Sequence, residues 1–504
     1  VYAFDVLMQM YEDAGYSQRD AAKSILENNL YGLDIDDRAY QLAYFAVMMK
    51  ARQYSRRILN GETTCHVYAI QESNNINRAH LKYLGAGMDD LEVNTARVQL
   101  EGLLDTLRDA KEYGSILKVE SCNWELLRRF VSSADAGTQI SLDSTGLEVT
   151  VEQLMTLIDI AETMAQKYDV VVTNPPYLGS SRFSPTLDKY VKENYDDVKS
   201  DLSMVVYKTA ICNFAKNSGL IAFITTSSWM VLSSFEKLRS FLNNTVSLYN
   251  LVDFGTELFD GKVGHNPIVA WVTKKPKLDY NMTAIRLVDY CYSRRDEKES
   301  EFFNPKNRYT TQQSNFSKIP GNPITYSVGN NVFEAYDRGV LLGKISSISE
   351  GVKTGNNEKF LRMWHEIESP KFTFGKNKDN KWVPHHKGGD FRKWYGNREW
   401  VINWLHDGQE IKNSSNSGLQ GKSIYFSSFA SWSKISSKGN PLRYFERNCL
   451  FDSGAPAISN QELLMTMGLL NGKVGELLLS VLSPTLNLQV GDVKVLPLIV
   501  ERKE

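Results

Sequence analysis

The apolar and polar positions of this 504-residue chain alternate between two periods, and the sharpest break lies at residues 168–177, Tyr-Asp-Val-Val-Val-Thr-Asn-Pro-Pro-Tyr. Four consecutive β-branched residues, Val170 to Thr173, predict a strand buried on both faces of a parallel sheet. Asn174-Pro175-Pro176 stops it, because proline offers no amide hydrogen and holds φ near one value. Other short apolar runs predict strands at Asn29–Asp36, His66–Ile70, Gly219–Thr225, Leu248–Phe254 and Ile268–Thr273. Between them the spacing turns helical: Val1, Phe4, Leu7, Met8 and Tyr11; Leu42, Phe45, Ala46 and Met49 within Asp37–Arg57, capped by Asp36 or Asp37; Asp201–Phe214; and Phe235–Leu242. From about residue 74 to 167 the pattern is mostly helical and polar, with a Gly/Ser/Asp-rich break near Ser132–Gly146, and predicts a helical insertion. Strands alternating with helices and closing on an antiparallel edge predict an α/β, doubly wound sheet. A Pro-, Asn-, Ser- and Gly-rich stretch near Asn304–Asn330 reads as a linker. It separates a first domain, 1–330, from a mixed, β-containing second domain, 331–504.

Composition adds where the charge sits. The net charge is −1, yet residues 351–450 hold 17 Lys and Arg against 9 Asp and Glu, leaving 41 against 50 elsewhere. Six of the nine tryptophans (Trp364, Trp382, Trp394, Trp400, Trp404, Trp432) fall in the same window. A basic, aromatic segment beside an acidic domain is what a DNA-reading module requires. Most of these tryptophans are expected in the core, with the basic excess as a nucleic-acid footprint. The five cysteines are scattered, without C-x-x-C pairing or histidines at ligand spacing. A reducing compartment, the cytoplasm, is therefore expected, and no metal site. No apolar run is long enough to span a bilayer, so no membrane partner is expected.

The loop beyond a strand's carboxyl end is where open α/β sheets bind ligands. There, the Asn174 side-chain oxygen and the Pro175 carbonyl can each accept one N–H of an exocyclic amine. Holding both bonds makes a delocalised amine more nucleophilic. Pro176 keeps the carbonyl aimed, and Tyr177 offers a flat face for an extruded base. The alternative is a plain strand-ending turn. Asp34, at the end of an earlier strand, is a candidate for ribose hydroxyls; Asp36 and Asp37 fit helix capping better. Lys353, Arg392 and Lys393 are the basic residues in loop-like contexts proposed for DNA contact.

Several motifs occur in one order: Gly32-Leu33-Asp34-Ile35-Asp36; Asn174 to Tyr177; Ser200-Asp201-Leu202; Ser227-Ser228-Trp229 with Leu238-Arg239; and Phe259 before Ile268–Thr273. In this order the chain resembles adenine-specific DNA methyltransferases of the gamma arrangement, and within them the PglX-type enzymes of BREX phage-exclusion systems. The resemblance implies a methyltransferase-type sheet and S-adenosylmethionine as cofactor. It implies double-stranded DNA and further defence proteins as partners. It assigns the target amine to Asn174 and Pro175, base stacking to Tyr177 and Phe259, the cofactor ribose to Asp34 and the cofactor adenine to Ile35. Phe259 as a core residue of a hairpin is the alternative. Gly351 to Phe360 and Asn487 to Pro497 resemble the opening and close of the family's target-recognition domain, the first as a DNA-facing turn. The first strand of the sheet and the glycine-rich cofactor loop after it have no counterpart in the sequence and would precede Val1. The expected function is transfer of a methyl group to a flipped adenine in phage defence. The alternatives are the DNA-recognition subunit of a defence assembly and the methylating part of a restriction–modification enzyme.

Overall fold

The computed structural model describes residues 1–135, 145–261, 265–278, 280–375, 380–436, 442–482 and 487–499. Most of the predicted break at Ser132–Gly146 lies outside them. The chain forms two compact units, residues 1–225 with 270–277, and residues 226–269 with 278–504. Eight strands concern the site and its surroundings: β1 Tyr31–Asp34, β2 His66–Ala69, β3 Tyr168–Thr173, β4 Ala215–Thr226, β5 Ser247–Gly255, β6 Ile268–Lys274, β7 Asn281–Arg286 and β8 Arg308–Gln312.

In the first unit β1 pairs with β2 in parallel, Tyr31 opposite His66 and Asp34 opposite Ala69. β3 pairs in parallel with β4, Val171 opposite Ile221 and Thr173 opposite Phe223, and β6 follows beside β4. The expectation that Val170–Thr173 is buried on both faces is not met. Val170 is 55% and Val172 71% exposed, because the two share one face of β3 and nothing covers that face among the described residues.

Within 74–167 the described residues form helices, chiefly Asp90–Thr106, Trp124–Ser132 and Leu147–Ala165. Their apolar stripes (Leu100, Leu104, Leu127, Phe130, Leu154, Ile158) bury one another in a core that also takes in Ile70 and Phe214 and packs against Leu33, Tyr68 and Val171 of the strands. The helix Asp37–Arg52, N-capped by Asp36, buries Val47, Met48 and Ala51. Leu42, Phe45 and Met49 face outward instead. That helix carries apolar residues on more than one side, and only one stripe meets the Phe4–Ile25–Val67 cluster.

In the second unit β5 pairs with β7 in parallel and β7 with β8 antiparallel. β8 lies inside the stretch expected to be a linker. Its Arg-Tyr-Thr-Thr-Gln run has the β-branched and aromatic residues that pair well at a sheet edge, whatever its Pro- and Asn-rich neighbours suggest. Further on, Leu361–Met363, Trp400–Asn403, Trp382–His386 and Leu450–Phe451 make one four-stranded sheet in that order. Ser347–Ser349, Ala457–Ser459, Phe429–Ser431 and Arg443–Phe445 make another. Pro497–Leu498 pairs with Val340–Leu341, so the end of this region returns to its beginning.

Of the six tryptophans expected mostly in the core, Trp382, Trp404 and Trp432 are buried, while Trp364 is 62% and Trp394 50% exposed. No helix among the described residues is long and apolar enough to cross a membrane.

Candidate active site

β3 delivers Asn174 to the carboxyl end of its sheet, where the prolines break the ladder. Asn174 is exposed and Pro175 buried. The Tyr177 hydroxyl donates to Asn174 Oδ1 at 2.7 Å and lies 3.3 Å from the Ile224 carbonyl at the end of β4. Burial raises the Tyr177 pKa, which keeps the hydroxyl protonated and able to donate. The amide oxygen of Asn174 has a second lone pair, which remains for another donor. Among the described residues nothing bonds to the Pro175 carbonyl. Two acceptors therefore stand one residue apart on a backbone with little freedom to turn away.

A second segment holds this loop from its far side. The Ser180 amide donates to the Ser200 carbonyl at 3.0 Å, and the Leu202 amide to the Leu178 carbonyl at 2.9 Å. Asp201 caps the helix Leu202–Thr209 through the Ser203 amide and hydroxyl. Burial raises the Asp201 pKa, and the Ser203 bonds offset part of that. The sequence offered Ser200-Asp201-Leu202 only as a motif. A helix cap beside Asn-Pro-Pro-Tyr was readable, but the bridge between the two loops was not.

The β1 end sorts the three aspartates. Asp36 is the cap, accepting from the Arg38 amide at 2.8 Å. Asp37 binds Gln71 and Lys111 at 2.9 and 2.7 Å. Asp34 is exposed; its Oδ1 accepts from the Asp36 amide at 2.9 Å, and Oδ2 has no bond among the described residues. Ile35 is 45% exposed, with Gly114 close beside its end. β1 and β3 start side by side, the Tyr31 and Tyr168 rings 5.3 Å apart. Asp34, Ile35 and Asn174–Tyr177 belong to one unit, each group at the carboxyl end of its own strand, β1 and β3, which lie in different sheets.

The remaining candidates lie in the other unit. Phe259 is half-buried in the bend after β5. Lys353 and Arg392 are exposed. Lys393 is half-buried and donates to the Asn471 carbonyl at 3.0 Å, so it serves the local structure. Gly351, expected in a DNA-facing turn, is packed against Phe451: a Cβ there would lie 2.0 Å from the Phe451 carbonyl oxygen.

Residues 28–259 match the family model described as Eco57I restriction-modification methylase. The adenine-specific methyltransferase PglX of Lacticaseibacillus casei (strain Zhang) is 35% identical over 526 residues, covering 99% of this chain and 43% of that protein. The adenine-specific methyltransferase BrxX of Escherichia coli O9:H4 (strain HS) is 34% identical over 525 residues, with the same coverage of 99% and 43%. The chain thus spans less than half the length of these relatives. A solved structure of the ATP-dependent Type ISP restriction-modification enzyme LlaBIII bound to DNA is 10% identical, covering 90% of this chain and 30% of that one at a TM-score of 0.41.

Proposed function

The chain belongs to the family of the adenine-specific methyltransferases PglX and BrxX, and from that premise we propose that it carries out methyl transfer to the exocyclic amine of a flipped adenine in double-stranded DNA, in phage defence. The observation that carries the reading is the pair of acceptors after β3, Asn174 Oδ1 steadied by Tyr177 and a Pro175 carbonyl with no other bond among the described residues. As the amine's nitrogen turns tetrahedral its hydrogens become more acidic, so both acceptors bind more strongly in the transition state than in the ground state. The Tyr177 ring stacks on the extruded base.

S-adenosylmethionine is the cofactor in this proposal, and it supplies the methyl group as an electrophilic sulfonium. The residues present fit its nucleoside half. Asp34 has a carboxylate oxygen free for ribose hydroxyls, and Ile35 has an exposed apolar end for the adenine. The doubly wound methyltransferase-type sheet belongs to the same reading. So does the division into a catalytic domain, 1–330, and a target-recognition domain, 331–504, with Lys353 and Arg392 toward the phosphates. Other defence proteins are the expected further partners, and the cytoplasm the expected compartment.

The test is Asn174→Ala in the full-length native protein. Loss of one acceptor that strengthens in the transition state lowers the rate of transfer about 10²–10³-fold, by analogy with oxyanion-hole donors. DNA affinity changes little. Transfer at the parental rate removes Asn174 from the chemistry.

A further inference from the structure

The second unit carries a closed loop over residues 388–397, Gly-Gly-Asp-Phe-Arg-Lys-Trp-Tyr-Gly-Asn. Buried Asn397 shuts it: its Nδ2 donates to the carbonyls of Gly388 and Asp390, both at 3.0 Å. Arg443 donates to the Asp390 carbonyl at 3.2 Å, and Lys393 to the Asn471 carbonyl at 3.0 Å. Gly396, at φ +128°, makes room for the stem of Arg392, whose Cδ lies 2.6 Å from where a Cβ would stand. The loop is held at both ends and in its middle.

Its strained point is a γ-turn. The Tyr395 amide donates to the Lys393 carbonyl at 2.9 Å, and Trp394 between them has φ +74°, a conformation that a bulky L side chain adopts only under constraint. The constraint comes from the strand Arg443–Phe445 and the residue before it. The Trp394 amide donates to the Leu442 carbonyl at 2.9 Å, and the Trp394 carbonyl accepts from the Tyr444 amide at 3.0 Å. Strain held in this way is a mark of function when the core does not need it. Trp394 is half exposed, beside Phe391 and Tyr395 at 39% and 64%. Tyr395 is backed by the Arg398 guanidinium, 4.2 Å from its ring centre. Trp394 makes no ring contact among the described residues, and its indole N–H has no partner there.

Exposed aromatic rings on a fixed backbone mark an interaction surface, and the charges around them select the partner. From Lys387 to Arg398 there are four basic side chains and one acidic, Asp390. Among the described residues only Arg398 of these is ion-paired, with Glu446 at 2.6 Å. Arg392 is exposed and has no hydrogen bond either. The surrounding window is also the basic one, with 17 Lys and Arg against 9 Asp and Glu. Unpaired cations beside a free apolar ring suit a polyanion built of stacked rings, which is DNA. Apolar side chains on a rigid support enter DNA between base pairs, while neighbouring cations hold the phosphates.

We propose that Trp394 is a wedge: on bound double-stranded DNA its indole enters between base pairs, while Arg392 holds an adjoining phosphate. The inference rests on the reading of the chain as a DNA-acting enzyme. It adds a contact to the bases from the second unit, whereas the adenine assigned to Asn174 is held by residues of the first.

The experiment uses the full-length native protein and a dye-labelled duplex of mixed sequence with several TA steps, which open easily. Anisotropy over a range of salt gives the affinity, and energy transfer between the duplex ends gives the kink that insertion makes. Trp394→Gly is the central variant, because glycine takes φ +74° without strain and the turn survives the change. The expected result is a loss of affinity of about tenfold or more, as for removal of a stacking aromatic. The kink disappears with it. The slope of log affinity against log salt stays as in the parent, since no charge is removed. Trp394→Phe keeps a ring and retains most of the affinity, whereas Arg392→Ala makes the slope shallower by about one. A duplex that the parent leaves straight, or parental affinity in Trp394→Gly, overturns the inference without touching transfer at Asn174. So does an equal loss in Trp394→Phe, or a loss in Trp394→Gly that comes with a shallower slope. A Trp394-dependent kink and affinity in a protein that transfers no methyl group supports the wedge and overturns the proposed reaction instead.

Discussion

At the scale of single residues, the structure adds one bond to the chemistry read from the sequence. Asn174, Pro175 and Tyr177 were recognisable because amide, carbonyl and aromatic ring are the groups that a flipped adenine needs. That the Tyr177 hydroxyl reaches back to Asn174 Oδ1 depends on how the turn closes, and no residue pattern encodes it. In the proposed reaction the bond would give Tyr177 two separable roles, a ring that stacks and a hydroxyl that orients Asn174. Tyr177→Phe keeps the first and loses the second. One hydrogen bond contributes about 0.5–1.5 kcal/mol, so kcat for methyl transfer falls about three- to tenfold while KM for DNA stays near the parental value. A steady-state assay on the full-length native protein checks this; a rise in KM with kcat unchanged would mean that the hydroxyl contacts the DNA instead. Lys393 shows the opposite limit. It and Arg392 look alike in sequence, yet one is tied to the Asn471 carbonyl and the other is exposed.

At the scale of elements, periodicity placed the strands and helices well and their faces less well. The helix over 37–52 and the strand over 168–173 are where the pattern puts them. Which apolar stripe is covered depends on neighbours that local sequence does not name, hence the exposed Leu42, Phe45, Val170 and Val172. β8 was hidden for a compositional reason, a five-residue strand between Pro- and Asn-rich turns. Gly351 and Gly355 lie in the stretch Gly351 to Phe360, read as a DNA-facing turn from its resemblance to the opening of the family's target-recognition domain. Packing accounts for both, with Gly351 under the Phe451 backbone and Gly355 at φ +70° beside the Ser415 carbonyl. Gly351→Ala would push a methyl group into a backbone oxygen that cannot rotate aside, an overpacking change that costs about 1–3 kcal/mol. Chemical denaturation should show the midpoint falling, whereas Gly329→Ala, with open space at the Cβ position and φ at −74°, should leave it in place. Equal stability of the parent and Gly351→Ala would refute the close approach.

At the scale of the whole molecule, the charge split visible in composition suggests a division of labour: the basic region chooses the DNA site and the first domain transfers the methyl group. Phosphate contacts release counterions, so binding through residues 331–504 should weaken steeply with salt. Replacing these residues by those of a homologue with another target, and mapping methylated adenines across the genome, should move the modified sequence to the homologue's. If the parental site persists, recognition lies elsewhere and the basic window is solvated surface. Beneath this stands the claim that the acceptors after β3 act on adenine. The most direct measurement is the product itself: DNA treated with the full-length native protein and S-adenosylmethionine, digested to nucleosides and separated by chromatography with mass detection. The account predicts N6-methyldeoxyadenosine with the parent and its loss with Asn174→Ala; N4-methyldeoxycytidine, or no methylated nucleoside from either protein, would contradict it.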